Sequence, residues 1–205
     1  MYLTRLTLDL RSSQARRDLG DAYEMHRTLV RAFVDGPQSH PARFLWRLEA
    51  RKDSVSNPTV LVQSEVAADW SVLEMMSNYF ERQAESKCVA LDELIRSKSC
   101  YRFRLLANPT VTREGKRHGL RKESEQYAWI ERQGERHGFG VQARRVTSQD
   151  LFSSGEIGKP SVYIHRVCFE GLLNVQNEDA LKRALVDGIG PAKAFGCGLL
   201  SVAPC

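Results

Sequence analysis

The chain of 205 residues lacks a long apolar run and lacks any closely spaced cysteine pair. No stretch of 18 or more apolar residues occurs, and the first five residues do not begin a secretory signal. We therefore expect a soluble, cytoplasmic protein that does not bind a membrane. The five cysteines form no C-x-x-C pair, and their odd count and scattered spacing suit neither a disulfide framework nor a zinc site. They are predicted to be reduced thiols, most of them buried: Cys88, Cys100, Cys168, Cys197 and Cys205.

Signatures of cofactor and metal sites are also missing. The glycine-rich stretch 188–198 has no G-K-[ST] ending and does not open a helix after a strand, which argues against ATP or dinucleotide binding. Two interpretations of it remain open: backbone amides that approach phosphates or another chain, or a tight connection from helix to strand. The acidic residues show no spacing typical of two-metal phosphodiester cleavage, and the other histidines form no metal cluster. We expect no cofactor and no metal.

Positive charge is concentrated in one segment of the chain. Between Arg96 and Lys122 there are nine basic residues and one acid, Glu114. The segment carries +8, and the formal net charge of +5 leaves about −3 for the remainder. A near-neutral protein with one concentrated basic segment is typical of a polyanion-binding protein with a defined site, because phosphates release counterions on binding. A solvated basic loop is the alternative.

Hydrophobic periodicity predicts the same order of elements in each half of the chain. Both halves can be written strand, helix, strand, strand, helix, strand, which is the order of the ferredoxin-like fold. The predicted fold is α+β, with two tandem ferredoxin-like (RRM-like) domains at residues 1–95 and 96–205. The first half is predicted to contain strands at 2–10, 44–48 and 59–63, a long helix at 18–34, mixed helical character at 70–84 and an undecided element at 88–94. The second half is predicted to contain strands at 101–105, 141–146, 161–173 and 199–203, with helices at 123–135 and 178–186.

Tyr23 and His26 lie three residues apart on the first predicted helix and are therefore neighbours on one flank. His26 falls at the margin of the apolar stripe, where a histidine can keep a near-ordinary pKa while it faces a cleft. RNA carries its own nucleophile, the 2′-hydroxyl, so a His, a Tyr and a nearby cation suffice to cut it without a metal. Such a pair taken alone is more often ordinary helix surface, and that is the alternative. A thiol hydrolase that uses Cys197 is a further alternative.

Several motifs resemble those of the CasE proteins, the crRNA-processing subunits of type I-E Cascade complexes. Arg104-Leu105-Leu106-Ala107-Asn108-Pro109 resembles their R-L-R-A-N-P signature, with Leu106 in place of an arginine. Cys168-Phe169-Glu170-Gly171 resembles their V-C-F-E-G strand, and residues 188–193 with 196–201 resemble their closing glycine-rich segment. Residues 1–3 and 122–129 also agree, so the resemblance runs along essentially the whole chain.

The resemblance implies a metal-independent endoribonuclease that cuts at the base of the CRISPR repeat hairpin and stays bound to the product crRNA within Cascade. His26 maps onto the family's catalytic histidine, Tyr23 onto a tyrosine found in some members, and Lys159 onto a basic loop position close to the cleaved phosphate. Residues 110–122 resemble a hairpin that enters the RNA groove. The candidate RNA-binding residues are Arg27, Arg102, Arg104, Asn108, Arg113, Lys116, Arg117, Arg121, Lys122, Arg166 and Lys193. A non-catalytic RNA-binding subunit of the same architecture remains the alternative.

Overall fold

The computed structural model describes residues 1–34, 36, 40–50, 53, 56–154 and 162–205, without the side chains of 152–154 and 162. Within these ranges the chain divides into two units, one formed by Met1–Val89 with Ala194–Gly196 and the other by Ala90–Lys193 with Cys197–Cys205. Each unit contains a four-stranded antiparallel sheet. The predicted class of two tandem ferredoxin-like domains is confirmed.

The first unit has the strand order of the ferredoxin-like fold. Its sheet is ordered β2-β3-β1-β4, so the first and third strands occupy the centre. Leu6 and Leu8 are fully buried, as the alternation of the opening strand predicts. The elements are β1 (Tyr2–Thr7), α1 (Ser13–Gly20), α2 (Ala22–Val30), β2 (Phe44–Leu48), β3 (Thr59–Ser64), α3 (Ser71–Glu74) and β4 (Glu85–Cys88).

The long helix predicted at 18–34 is wrong in one respect, because two helices meet at Asp21. The backbone of Asp21 is extended (φ −139°, ψ 113°), and its carboxylate accepts a hydrogen bond from the amide of Tyr23 at 2.8 Å. Gly20 disfavours a continuous helix, and an aspartate that caps the next helix stabilises the break. The periodicity of apolar residues continues across the break, so the periodicity gives no sign of the break. Tyr23 and His26 consequently lie in the first two turns of a separately capped helix.

The second unit repeats the architecture with two additions, a small hairpin and a long ribbon. Its sheet is ordered β10-β5-β9-β8, and β6 and β7 pair in a separate two-stranded sheet. The elements are α4 (Leu91–Leu94), β5 (Cys100–Ala107), β6 (Thr110–Arg113), β7 (Lys116–Gly119), α5 (Glu123–His137), β8 (Phe139–Ser154), β9 (Val162–Val175), α6 (Glu178–Asp187) and β10 (Leu200–Pro204).

The core of the second unit lies between its sheet and its two main helices. Phe103 and Leu105 on β5 point into this core, where Trp129 of α5 stacks on Phe169 of β9 with ring centroids 5.9 Å apart. Gly171 lies on β9 next to an irregularity in its pairing with β8, and a Cβ there would collide with the Ala143 carbonyl oxygen. The strands could not approach so closely with any other residue at that position.

The expectation that all cysteines are reduced is wrong for one pair. Cys100 and Cys205 form a disulfide with a Cα–Cα distance of 5.8 Å. β10 runs antiparallel to β5 with Pro204 opposite Tyr101, which brings the next residue, Cys205, beside Cys100. The two cysteines are 105 residues apart, so only the strand pairing reveals their proximity. Of the remaining three, Cys88 is exposed, Cys168 half-buried and Cys197 buried.

Candidate functional site

His26 is half-buried on α2, where its ring stacks on Phe44 of β2. The ring centroids are 5.1 Å apart, and Phe44 in turn stacks on Phe33 at 4.4 Å. This apolar contact differs from the near-ordinary environment predicted from the helix alone: burial lowers the pKa of His26 below its ordinary value. Its Nδ1 atom is buried and has no hydrogen-bond partner among the residues that the structure describes. A neutral imidazole near pH 7 can therefore accept a proton.

Tyr23 occupies the exposed flank of the same helix. Its side chain is 39% exposed, and the guanidinium carbon of Arg27 lies 5.9 Å from its ring centroid. Arg27 also bonds Glu24 at 3.0 Å, and Glu24 bonds Arg17 at 2.9 Å. The predicted neighbours Tyr23, His26 and Arg27 thus lie together on α2, where Arg27 shares the one carboxylate of Glu24 with Arg17.

The hairpin β6–β7 presents a group of exposed cations. Arg113 pairs with Lys116 across a two-residue turn, and the turn residues Glu114 and Gly115 have φ values of 50° and 73°. Positive φ at both positions is typical of the tight turns that match strand twist. The side chains of Arg113, Lys116 and Arg117 are exposed and make no ion pair with any residue that the structure describes. Arg121 and Lys122, which follow the hairpin, are also exposed.

Buried polar groups fix the base of this hairpin at Leu120. The Leu120 amide donates to the Pro109 carbonyl at 2.9 Å, and its carbonyl accepts from Gln126 Nε2 at 3.0 Å and from His165 Nδ1 at 3.1 Å. Gln126 is fully buried and also donates to Gln149 of β8 at 3.0 Å. Neither Gln126 nor His165 is among the site residues predicted from the sequence. A glutamine among the apolar positions of α5 was the available signal for the first of them.

The outer face of the second unit's sheet carries two further candidates. Arg104 bonds Glu170 at 2.6 Å, and Arg145 bonds the same carboxylate at 3.0 Å. Burial alone would raise the pKa of Glu170, but the hydrogen bonds from Arg145 and Arg104 outweigh it and lower that pKa. Arg102, one alternation along β5, is exposed beside them. Together these residues border a shallow cavity of about 590 Å³.

The remaining candidates have less accessible or less defined positions. Asn108 is 8% exposed immediately after β5. Arg166 pairs with Asp150 at 2.5 Å, so its charge is largely balanced within the β8–β9 pair. Lys193 is half-buried at the start of a short 3-10 turn, and Lys159 lies outside the described residues.

Cys197 has the properties of a core thiol. Its side chain is fully buried, and burial raises its pKa to about 12. A nucleophilic cysteine needs an accessible thiolate, so the geometry disfavours the thiol hydrolase alternative. The glycine-rich stretch around Cys197 connects α6 to β10, and backbone hydrogen bonds hold it in place. The Gly198 amide donates to the Leu106 carbonyl at 2.7 Å, and the Ile189 amide donates to the Gly198 carbonyl at 2.9 Å.

The first ferredoxin-like unit bears a histidine and a tyrosine on one helix flank, and the second bears a hairpin of exposed cations. This combination is typical of a nucleic-acid-binding protein. Comparison with known proteins identifies the group. The chain belongs to the CRISPR associated protein family, whose model matches residues 1–204.

Named relatives align along the entire chain. The chain is 38% identical to the CRISPR-associated endoribonuclease Cse3 of Thermus thermophilus and 31% identical to the CRISPR system Cascade subunit CasE of Escherichia coli, with all of both chains covered in each case. Its structure is similar to that of Cse3 bound to a 19-nucleotide RNA, with a TM-score of 0.88, 36% identity and full coverage of both chains. Cse3 bound to an RNA that represents a pre-cleavage complex gives a TM-score of 0.87 and 35% identity, over 99% of this chain and 98% of that one.

Proposed function

We propose that this protein is an endoribonuclease that cleaves the hairpin of CRISPR repeat RNA to make mature crRNA and stays bound to the product. The observation that carries the proposal is full-length similarity to a CRISPR-associated endoribonuclease at 38% identity, together with structural similarity to its RNA complexes. The exposed cations of the β6–β7 hairpin add an independent reason for RNA binding, because these charges have no acidic partner among the described residues.

In the proposed reaction the RNA supplies the nucleophile and the protein moves protons. The neutral imidazole of His26 takes the proton of the 2′-hydroxyl as its oxygen attacks the adjacent phosphorus. The bond to the 5′-oxygen breaks, and that oxygen takes a proton from solvent water or from the Tyr23 hydroxyl. Protonated His26 then releases its proton to solvent, which restores the neutral imidazole. The products are a 2′,3′-cyclic phosphate and a 5′-hydroxyl, and no metal takes part. The lowered pKa of His26 supports its role as the general base.

Tyr23 and Lys159 are proposed to act on the phosphate. The exposed hydroxyl of Tyr23, on the same flank as His26, donates a hydrogen bond or a proton as charge develops on the oxygens. Lys159 is assigned its position near the phosphate only through the family resemblance, and it contributes a positive charge there.

The basic hairpin is proposed to hold the stem of the RNA. The major groove of an A-form helix is deep and narrow, so Arg113, Lys116 and Arg117 are expected to contact phosphates and helix shape rather than base edges. The first unit then carries His26 and Tyr23 on α2, and the second carries the main RNA-binding surface. Other Cascade subunits are the proposed protein partners, since a relative at 31% identity is named as a Cascade subunit. No helix in the described parts of the chain could cross a lipid bilayer. The cytoplasm is the proposed location because the relatives are named as a CRISPR-associated endoribonuclease and a Cascade subunit.

Analysis of product ends tests this chemistry. A CRISPR repeat hairpin RNA is incubated with the protein in EDTA, and the fragments are examined by mass spectrometry. The proposal predicts a fragment with a 2′,3′-cyclic phosphate and a fragment with a 5′-hydroxyl. A 3′-hydroxyl paired with a 5′-phosphate would exclude the 2′-hydroxyl as the nucleophile. Binding without any cleavage would instead favour the non-catalytic RNA-binding subunit.

A further inference from the structure

Strands β8 and β9 extend beyond the sheet as a two-stranded ribbon. The two strands pair from Phe139 opposite Val175 to Ser154 opposite Val162. The neighbouring strand β5 pairs with β9 only as far as Val167. The part of β9 from 162 to 166 therefore has β8 as its only paired strand in the described sheet.

One face of this ribbon exposes apolar side chains. Leu151 is opposite His165, and Ser153 is opposite Tyr163, so the alternation of strand residues places Leu151, Tyr163 and His165 on one face. Leu151 is 58% exposed and Tyr163 is 69% exposed, whereas Ile164 on the other face is buried. Neighbouring exposed apolar side chains that include an aromatic ring commonly mark a binding surface.

This face is continuous with the base of the basic hairpin. His165 Nδ1 donates to the Leu120 carbonyl at 3.1 Å, and a Cβ placed on Gly119 would lie 3.6 Å from the Cβ of His165. Gly119 is the last residue of β7, so the base of the hairpin lies beside the ribbon. The Tyr163 face and the unbalanced cations of the hairpin thus belong to adjoining elements of one unit.

We infer that Tyr163, flanked by Leu151, stacks on the base of an unpaired nucleotide that adjoins the RNA stem. This inference rests on the proposed function. Bases inside a stem offer only their edges, whereas an unpaired base has a free face on which an aromatic ring can stack. The neighbouring cations would bind the phosphates of the same RNA. An aromatic platform beside a positively charged element is the usual composition of a surface that binds single-stranded nucleic acid.

The adjoining charge also favours RNA over a protein partner as the occupant. Tyrosine is common in protein interfaces as well, but the exposed cations of the hairpin would need acidic partners there. Lost stacking on one base weakens binding by about 5- to 150-fold. Because stacking involves no charge, it should leave the salt dependence of binding unchanged.

The test compares Tyr163→Ala, Tyr163→Phe and the control Met75→Ala, which truncates another side chain that is 80% exposed. Dissociation constants are measured with a repeat hairpin RNA that has unpaired flanking nucleotides and with the paired stem and its loop alone. Tyr163→Ala should bind the longer RNA about 5- to 150-fold more weakly. Tyr163→Phe and Met75→Ala should match wild type. A 2-aminopurine placed at the stacked position, in the flank or in the loop, should be quenched when wild type binds. Tyr163→Ala should lack this quenching.

The outcomes separate this inference from the proposed function. If wild type and Met75→Ala bind and cleave the RNA while Tyr163→Ala binds equally well, the stacking role is wrong and the face is open to a protein partner. If Tyr163→Ala is weaker but no 2-aminopurine position responds to Tyr163, the residue does not stack on an unpaired base. If wild type itself neither binds nor cleaves the hairpin RNA, the proposed function fails first and the inference fails with it.

Discussion

Removal of the three hairpin cations should reduce the salt dependence of RNA binding by a calculable amount. Arg113, Lys116 and Arg117 are exposed and form no ion pair within the described parts of the chain, so each can neutralise one phosphate. Each contact contributes about 0.7–0.9 to the slope of log affinity against log salt, so the triple alanine variant should lose about 2–3 units of slope. Between about 50 and 200 mM salt, wild type should then lose roughly 20- to 40-fold more affinity than the variant.

The assay is filter binding of a repeat hairpin RNA at four or five salt concentrations. A control variant removes three exposed arginines from the helices of the same unit, Arg132, Arg136 and Arg183. Both variants lose the same charge, and surface substitutions of this kind change the free energy of unfolding by no more than about 0.5 kcal/mol. The reasoning is refuted if the hairpin variant has the slope of wild type, or if the control variant loses as much slope as the hairpin variant.

Three further predictions concern pH, the hairpin anchor and the disulfide. The cleavage rate should rise with pH through a pKa below the ordinary histidine value and be level near pH 7, since neutral His26 is the base; a pH–rate profile that falls over this range would contradict that role. Gln126→Leu should lower the free energy of unfolding by about 0.5–1.5 kcal/mol in urea titrations and weaken RNA binding, because it removes the side-chain amide that donates to the Leu120 carbonyl at the base of the hairpin. Cys100→Ser should lower the free energy of unfolding by about 2–5 kcal/mol, and a reductant should lower the free energy of unfolding of wild type by the same amount. A urea midpoint of wild type that a reductant leaves unchanged would show that the disulfide does not form.

Much of the second unit could be predicted from the sequence because its signals are local. The alternation of β5 predicts which side chains are buried, and the apolar spacing of α5 and α6 predicts both helices. The element order alone gave the fold class. The length of β8 was underestimated: its predicted end was Val146, whereas the strand continues to Ser154. Residues 147–150 are polar, and hydrogen bonds to β9 rather than burial hold this part of the ribbon, so no hydrophobic pattern marks it.

Other features depend on contacts between distant parts of the chain. The stacking of His26 on Phe44 and the pairing of Cys100 with Cys205 both arise from sheet geometry, which no local pattern encodes. The break at Asp21 did have a local signal, the Gly20–Asp21 pair, but the uninterrupted apolar periodicity outweighed it in the interpretation. The candidate pair Tyr23 and His26 could be selected from helix spacing, whereas the depressed pKa of His26 could not.

The central claim is that His26 transfers a proton during RNA cleavage. The most direct measurement is single-turnover cleavage of a repeat hairpin RNA in EDTA by wild type and His26→Ala, with filter binding of the same RNA to both. The account predicts that His26→Ala binds the RNA as wild type does but cleaves it about 10²- to 10⁴-fold more slowly, the usual contribution of a general base. Equal cleavage rates for the two proteins would contradict it.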